Sequence, residues 1–152
     1  MAASSAPAND DATLHTRATT EIVGYRLRRA QLSVFQRFMA TFEALNLRPA
    51  EYSVLALIAD NPGRKQTEIA EILGIKRANF VALINGLDRR GLTERRVAKG
   101  DRRANALYLT AEGARFLDRA RGVQEAFEAD CVERLGGTEA RDAFVKMLDR
   151  LC

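Results

Sequence analysis

Apolar residues recur at Val23, Leu27, Ala30, Val34, Phe38, Phe42 and Leu45, in steps of three and four that draw one stripe along a helix over about residues 19–45. Such a helix is about 40 Å long at 1.5 Å per residue, and its stripe carries phenylalanine as well as aliphatics. It demands a large apolar partner, either the helices that follow or a second copy of the chain. Leu47-Arg48-Pro49 ends it and opens another, because proline is accepted in a first helical turn and not in a helix interior. Tyr52, Leu55, Ala56 and Ile58 mark the inner face of this second helix before Asp60-Asn61-Pro62-Gly63 stops it.

Two short helices come next. The first runs from near Gln66 to Leu73, with Thr67 placed to cap it, Ile69, Ala70 and Leu73 inward, and Gly74 closing it. The second starts near Lys76 and turns Phe80, Leu83, Ile84 and Leu87 inward, which leaves Lys76, Arg77, Asn79, Ala82 and Asn85 outside. Gly91 ends it after Arg89 and Arg90, whose charge suits the negative end of the helix dipole. Residues 93–98 and 104–109 have strand character and are joined by Lys99-Gly100-Asp101-Arg102-Arg103, where glycine beside aspartate signals a hairpin. Thr110 caps another long helix, on which Phe116, Ala120, Val123, Phe127, Cys131 and Leu135 repeat every three or four residues up to Gly136-Gly137. A last helix from Thr138 carries Ala140, Phe144, Met147, Leu148 and Leu151.

A helix, a tight Gly74-Ile75 turn, a helix with a polar outer face and then a basic hairpin is the order of a winged helix-turn-helix. The predicted class is mostly α, with a two-stranded wing and long helices at both ends. Charge sharpens this picture. Between Arg64 and Arg103 stand eleven Lys and Arg against five Asp and Glu, a surplus of six, whereas the whole chain carries +4. The positive field is therefore focused on one stretch, and double-stranded DNA is the partner it predicts. The major groove, about 12 Å wide, admits one helix whose outer residues reach base edges. Asn79 is suited to adenine and Arg77 or Lys76 to guanine or phosphate, with Ala82 on the same DNA-facing side. Arg102 or Arg103 on the hairpin, beside Lys99, is suited to the minor groove, and Thr67 with the amides near it to phosphate.

These residues resemble the MarR family of bacterial transcriptional regulators. The likeness runs from Leu47 through Gly113 and rests on Leu47-Arg48-Pro49-Ala50-Glu51-Tyr52, Glu68-Ile69-Ala70-Glu71-Ile72-Leu73-Gly74, Leu87-Asp88-Arg89-Arg90-Gly91-Leu92, and Asp101-Arg102-Arg103 with Leu107, Leu109, Thr110 and Gly113. It implies a homodimer in which residues 19–46 and 111–152 interlock, while residues 47–110 form the DNA-binding lobe. It also implies that Arg103 enters the minor groove steadied by Asp101. Dimerisation accounts for two long apolar stripes that a lone chain leaves uncovered, and places two recognition helices about 34–36 Å apart on a palindromic operator. The resemblance further implies a small effector bound between the dimerisation helices and the DNA-binding lobe, often a phenolic or aromatic acid and in some members its coenzyme A thioester. Tyr25, Arg29, Phe38, Phe42 and Tyr52 are the expected contacts, aromatics stacking on a ring and an arginine fixing an anion. The expected outcome is a repressor released when the effector favours the geometry that does not bind DNA.

The other residue classes set bounds. Residues 1–18 are small, polar and turn-prone, without the basic start and apolar run of a secretory signal, and read as a disordered tail. No window approaches the roughly 18 apolar residues of a membrane span, so a cytoplasmic protein with no membrane partner is expected. The lone His15 falls in the tail, so neither a metal site nor a histidine triad is expected. Asp118, Glu125 and Glu128 occupy solvated helix positions, and neither catalysis nor a cofactor is expected. Two other classes compete with the ligand sensor. One is a redox-sensing repressor using Cys131 or Cys152, against which stands the absence of the early first-helix cysteine of the peroxide-sensing branch. The other is an architectural protein binding DNA without sequence choice.

Overall fold

A computed structural model describes residues 17–98 and 101–151, residues 101–103 by their backbone only. The chain divides into two units between Gln36 and Arg37. The first contains helix α1 (Arg17–Thr20) and most of α2 (Val23–Thr41). The continuous helix expected over 19–45 is thus broken twice. Thr19, Thr20, Ile22 and Val23 crowd four β-branched residues, which hold helix weakly, around the first break. At the other end a 3₁₀ turn (Glu43–Leu45) closes on Asn46, which takes the left-handed conformation at φ 45°. Up to Gln36 no described residue is buried, and Val23 is 64% exposed and Phe35 44%.

The second unit holds α3 (Pro49–Asp60), α4 (Gln66–Ile72), α5 (Arg77–Arg89), β1 (Thr93–Ala98), β2 (Asp101–Leu109), α6 (Ala111–Leu135) and α7 (Thr138–Leu148). Pro49 occupies the first turn of α3, where the Arg48 N–H donates to Glu51 Oε2 at 2.9 Å. α4 starts in the same way, its Lys65 N–H donating to Glu68 Oε2 at 2.7 Å. Thr67 lies inside the first turn and is not the cap, because the longer glutamate reaches back to the free amide. Gly74 then adopts φ +62° and lets Ile75 N–H return to Ala70 O at 2.9 Å, which makes the sharp turn into α5.

The strands pair antiparallel from Thr93 opposite Leu109 to Val97 opposite Asn105, then the register shifts between Val97 and Ala98. The sheet has a short third edge that sequence pattern did not reveal. Gly63 N–H donates to Leu107 O and Leu107 N–H to Arg64 O, both at 2.9 Å, and Lys65 lies opposite Ala106. One core joins these pieces, built from Val54, Leu55 and Ile58 of α3, Ile69 of α4, Phe80, Ile84 and Leu87 of α5, Leu107 of β2, and Leu117 and Ala120 of α6.

The junction from wing to α6 is set by Thr110 and Gly113. Thr110 Oγ1 accepts the Gly113 N–H at 2.9 Å, capping α6 as expected, and Thr110 N–H donates to Leu92 O at 3.1 Å. Gly113 is buried there, and a Cβ built on it falls 1.9 Å from Leu92 O. The Thr-x-x-Gly spacing thus brings the α6 backbone directly against the β1 entry.

Candidate nucleic-acid interface

The amphipathic pattern of α5 places its two faces as expected. Phe80, Ile84 and Leu87 are buried, while Lys76, Arg77, Ala78, Asn79, Ala82 and Arg89 are exposed. Thr67 is exposed near the start of α4. Among the described residues Lys76, Arg77 and Arg89 form no ion pair, so their charge remains available to a polyanion.

Other cations of the basic stretch are already engaged. Arg90 lies 3.7 Å from Glu51, donates to Leu45 O at 3.1 Å and sits over the Phe116 ring at 5.2 Å. It therefore ties α5 to α3 and α6, beyond the dipole role that its position alone suggests. Arg95 pairs with Asp88 at 3.1 Å and donates to Asn85 Oδ1 at 2.5 Å, which binds the first wing strand to α5. Asn85 is accordingly half-buried with its oxygen engaged, whereas the sequence pattern puts it wholly on the outer face. Arg96 pairs with Glu94 and lies over the Tyr108 ring at 4.4 Å. Arg64 reaches Glu68 at 3.5 Å, an exposed pair of the weak class. What sequence counting treats as one field is therefore partly structural cement and partly free charge.

The wing is described only in part. Lys99 lies outside the described residues. Asp101, Arg102 and Arg103 open β2, and their side chains lie outside the description as well.

The residues expected to meet an effector fall in both units. Tyr25 and Arg29 are exposed in the first unit. In the second, Phe38 and Phe42 stack at 3.9 Å between ring centroids, with Phe127 edge-on to Phe38 at 5.5 Å and Tyr52 edge-on to Phe42 at 6.0 Å. Phe38 and Phe42 are 6% and 1% exposed and act as packing groups, because the stack itself covers their faces. Burial raises the Tyr52 hydroxyl pKa, Arg121 opposes this, and Glu125 and Asp60 add to it, so the phenol stays protonated at neutral pH.

A hollow of about 370 Å³ opens nearby, lined by Arg37, Thr41, Phe127, Asp130 and Arg134 among others. Asp130 takes both carboxylate oxygens to Arg134 Nε, at 2.9 and 2.8 Å, and also accepts from Arg37. The Arg134 hydrogen bond, aided by the charges of Arg134 and Arg37, holds the Asp130 carboxyl below the usual carboxylate range against a desolvation cost. Arg37 also approaches Cys131 Sγ at 3.8 Å, and Cys131 packs half-buried against the core. Arg134 and Asp130 lie outside the expected effector set, although their spacing of four on one helix favours such a pair. No helix among the described residues is long and apolar enough to cross a membrane.

Comparison with known proteins bears on this arrangement. The model of the MarR family matches residues 45–104. The transcriptional repressor CouR bound to a 23-mer DNA duplex is similar with a TM-score of 0.86 and 42% identity, covering 92% of this chain and 99% of that one. CouR bound to p-coumaroyl-CoA gives a TM-score of 0.83 and 41% identity, over 91% of this chain and 97% of that one. A proposed transcriptional regulatory protein for the hcr operon of Thauera aromatica is 32% identical over 148 residues, which is 95% of this chain and 88% of that protein.

Proposed function

The chain belongs to the MarR family of transcriptional regulators, and from that premise we propose that it is a homodimeric repressor released from a palindromic operator by an aromatic acid or its coenzyme A thioester. The observation that carries this reading is the likeness, at 41–42% identity over nearly the whole of both chains, to a repressor bound in one structure to DNA and in another to p-coumaroyl-CoA. The free cations of α5 support it from the chain's own side.

In this reading α5 enters the major groove, with Asn79 on a base edge, Arg77 or Lys76 on guanine or phosphate, and Ala82 allowing close approach. Thr67 takes a phosphate. Lys99, Arg102 and Arg103, with Asp101 beside them, serve the minor groove. Residues 19–46 and 111–152 are the dimerisation helices. Support comes from the exposed apolar side chains at both ends, Ile22, Val23, Leu32, Val34 and Phe35 in one unit and Leu135, Val145, Met147 and Leu151 in the other. In the second unit the effector meets Tyr52 of the expected set, and the hollow beside Arg37 and Arg134 suits a ring on Phe127 with an anion at the guanidinium groups. Release is a population shift whose size equals the effector's difference in affinity for the two geometries.

The test is selection from randomised duplexes followed by anisotropy titration of the enriched site with p-coumaroyl-CoA, p-coumarate and free coenzyme A. A palindrome preferred by roughly 10³-fold over unrelated DNA, and released by the thioester or the acid more than by coenzyme A, is the expected result. Uniform binding to all duplexes, or indifference to every one of these ligands, overturns it.

A further inference from the structure

We propose that Asn85 presents its amide nitrogen to the operator as a hydrogen-bond donor, because Arg95 of the wing strand holds its carbonyl oxygen. The inference rests on the DNA-binding function proposed above. Asn85 follows Ala78 and Ala82 at steps of four and three and precedes Arg89 by four, so it shares the outer stripe of α5 with three exposed residues. It differs from them in being half-buried at its inner edge, where Arg95 donates to Oδ1 at 2.5 Å.

The chemistry fixes which end of the amide is which. A guanidinium has donors and no acceptor, so the atom facing Arg95 must be the oxygen. Arg95 is itself held: Nε lies 3.1 Å from Asp88 Oδ2, and Asp88 Oδ1 accepts from the hydroxyl of Thr93, which is 4% exposed. Turning the amide over would aim N–H groups at a fixed cation. What remains for an external partner is Nδ2, which has no partner among the described residues and carries two donors.

This makes the two asparagines of α5 chemically different readers. Asn79 is exposed, with both amide ends unpartnered among the described residues, and is able to form the bidentate pair with adenine N6 and N7. Asn85 has its oxygen directed at Arg95 and offers a base edge chiefly its N–H donors. It favours base edges that accept, guanine N7 and O6, adenine N7 or thymine O4, and disfavours cytosine, whose edge offers only a donor. The wing thereby shapes base preference through a contact it makes with protein.

Selection from randomised duplexes with the full chain tests this, comparing wild type with Asn85→Asp, Asn85→Ala, Arg95→Met and Asn79→Ala. In the wild type one position of each half-site disfavours cytosine against the other bases by about tenfold, the scale of a single base contact. Asn85→Asp keeps an oxygen for Arg95 and replaces the donor with an acceptor, so that position shifts towards cytosine. Asn85→Ala flattens it, which keeps the test decisive if Asp88 disturbs the aspartate variant. Arg95→Met frees the amide to turn and relaxes the discrimination against cytosine there, while Asn79→Ala alters a different position. An unchanged base profile in Asn85→Asp and Asn85→Ala, or uniform weakening on all sequences as for a phosphate contact, overturns the inference alone. An unchanged profile in Arg95→Met overturns the lock. A wild type that enriches no sequence overturns the proposed function and this inference with it.

Discussion

Two glycines of α6 should respond to the same substitution with opposite signs. At Gly113 an added methyl meets Leu92 O at 1.9 Å, where real contacts stay above 3.0 Å, so backbone must move by more than 1 Å. Leu92 O is also the acceptor for Thr110 N–H at 3.1 Å, and its displacement strains the bond that seats the helix cap. Overpacking a tight site costs about 1–3 kcal/mol, and weakening a buried hydrogen bond adds about 1 kcal/mol. Against this, alanine gains about 1 kcal/mol of helix propensity over glycine. The net expectation for Gly113→Ala is a loss of about 1–3 kcal/mol, or a Tm fall of roughly 2–12 °C at about 2–4 °C per kcal/mol for a chain of this size. Gly122 lies further along the same helix with nothing within 4 Å of its would-be Cβ. Gly122→Ala should therefore gain about 0.5–1 kcal/mol. Urea denaturation and thermal melts of both variants at matched protein concentration check the pair. If Gly113→Ala proves as stable as Gly122→Ala, the close approach assigned to the Thr110–Gly113 turn is wrong.

Three further outcomes follow from the ion pairs and surfaces. Arg77→Ala should weaken operator binding and lower the salt slope by about one, whereas Arg90→Ala should lower Tm and leave the slope unaltered, since Arg90 is tied to Glu51 and Leu45 O; equal slope changes would erase the distinction between free and structural cations. The Asp130 carboxyl is held below its ordinary value of 3.8, so its contribution is present above that pH and is lost as pH falls through the lower folded value. The Tm deficit of Asp130→Asn should accordingly shrink below about pH 4, and a deficit that grows in acid contradicts the assignment. Leu32→Glu and Phe35→Glu, at positions 38% and 44% exposed in the single chain, should reduce the dimer fraction in sedimentation velocity; a dimer indifferent to both removes the first helix from the interface.

The order of elements follows from local residues alone, because periodicity, proline and glycine act over short distances. The strand at 93–98, the Thr110 cap, the Gly74 turn and the inner face of α5 each follow from residues within a few positions of one another. The same local signals located the basic stretch. Which of its charges are free emerges on folding. Arg90 and Arg95 look like Lys76 and Arg77 in a count of cations, yet their partners Glu51 and Asn85 are reached through folding, one of them from a different helix. The same holds for Phe38 and Phe42, whose stripe reads equally as pocket or core until the Phe127 and Tyr52 rings close around them. It holds also for the third sheet edge at 63–65, which is made by main-chain groups and leaves no mark in side-chain pattern. Hydrophobic periodicity records how much surface an element must bury; which groups meet there depends on contacts distant in the chain, and these exist only once the core has formed.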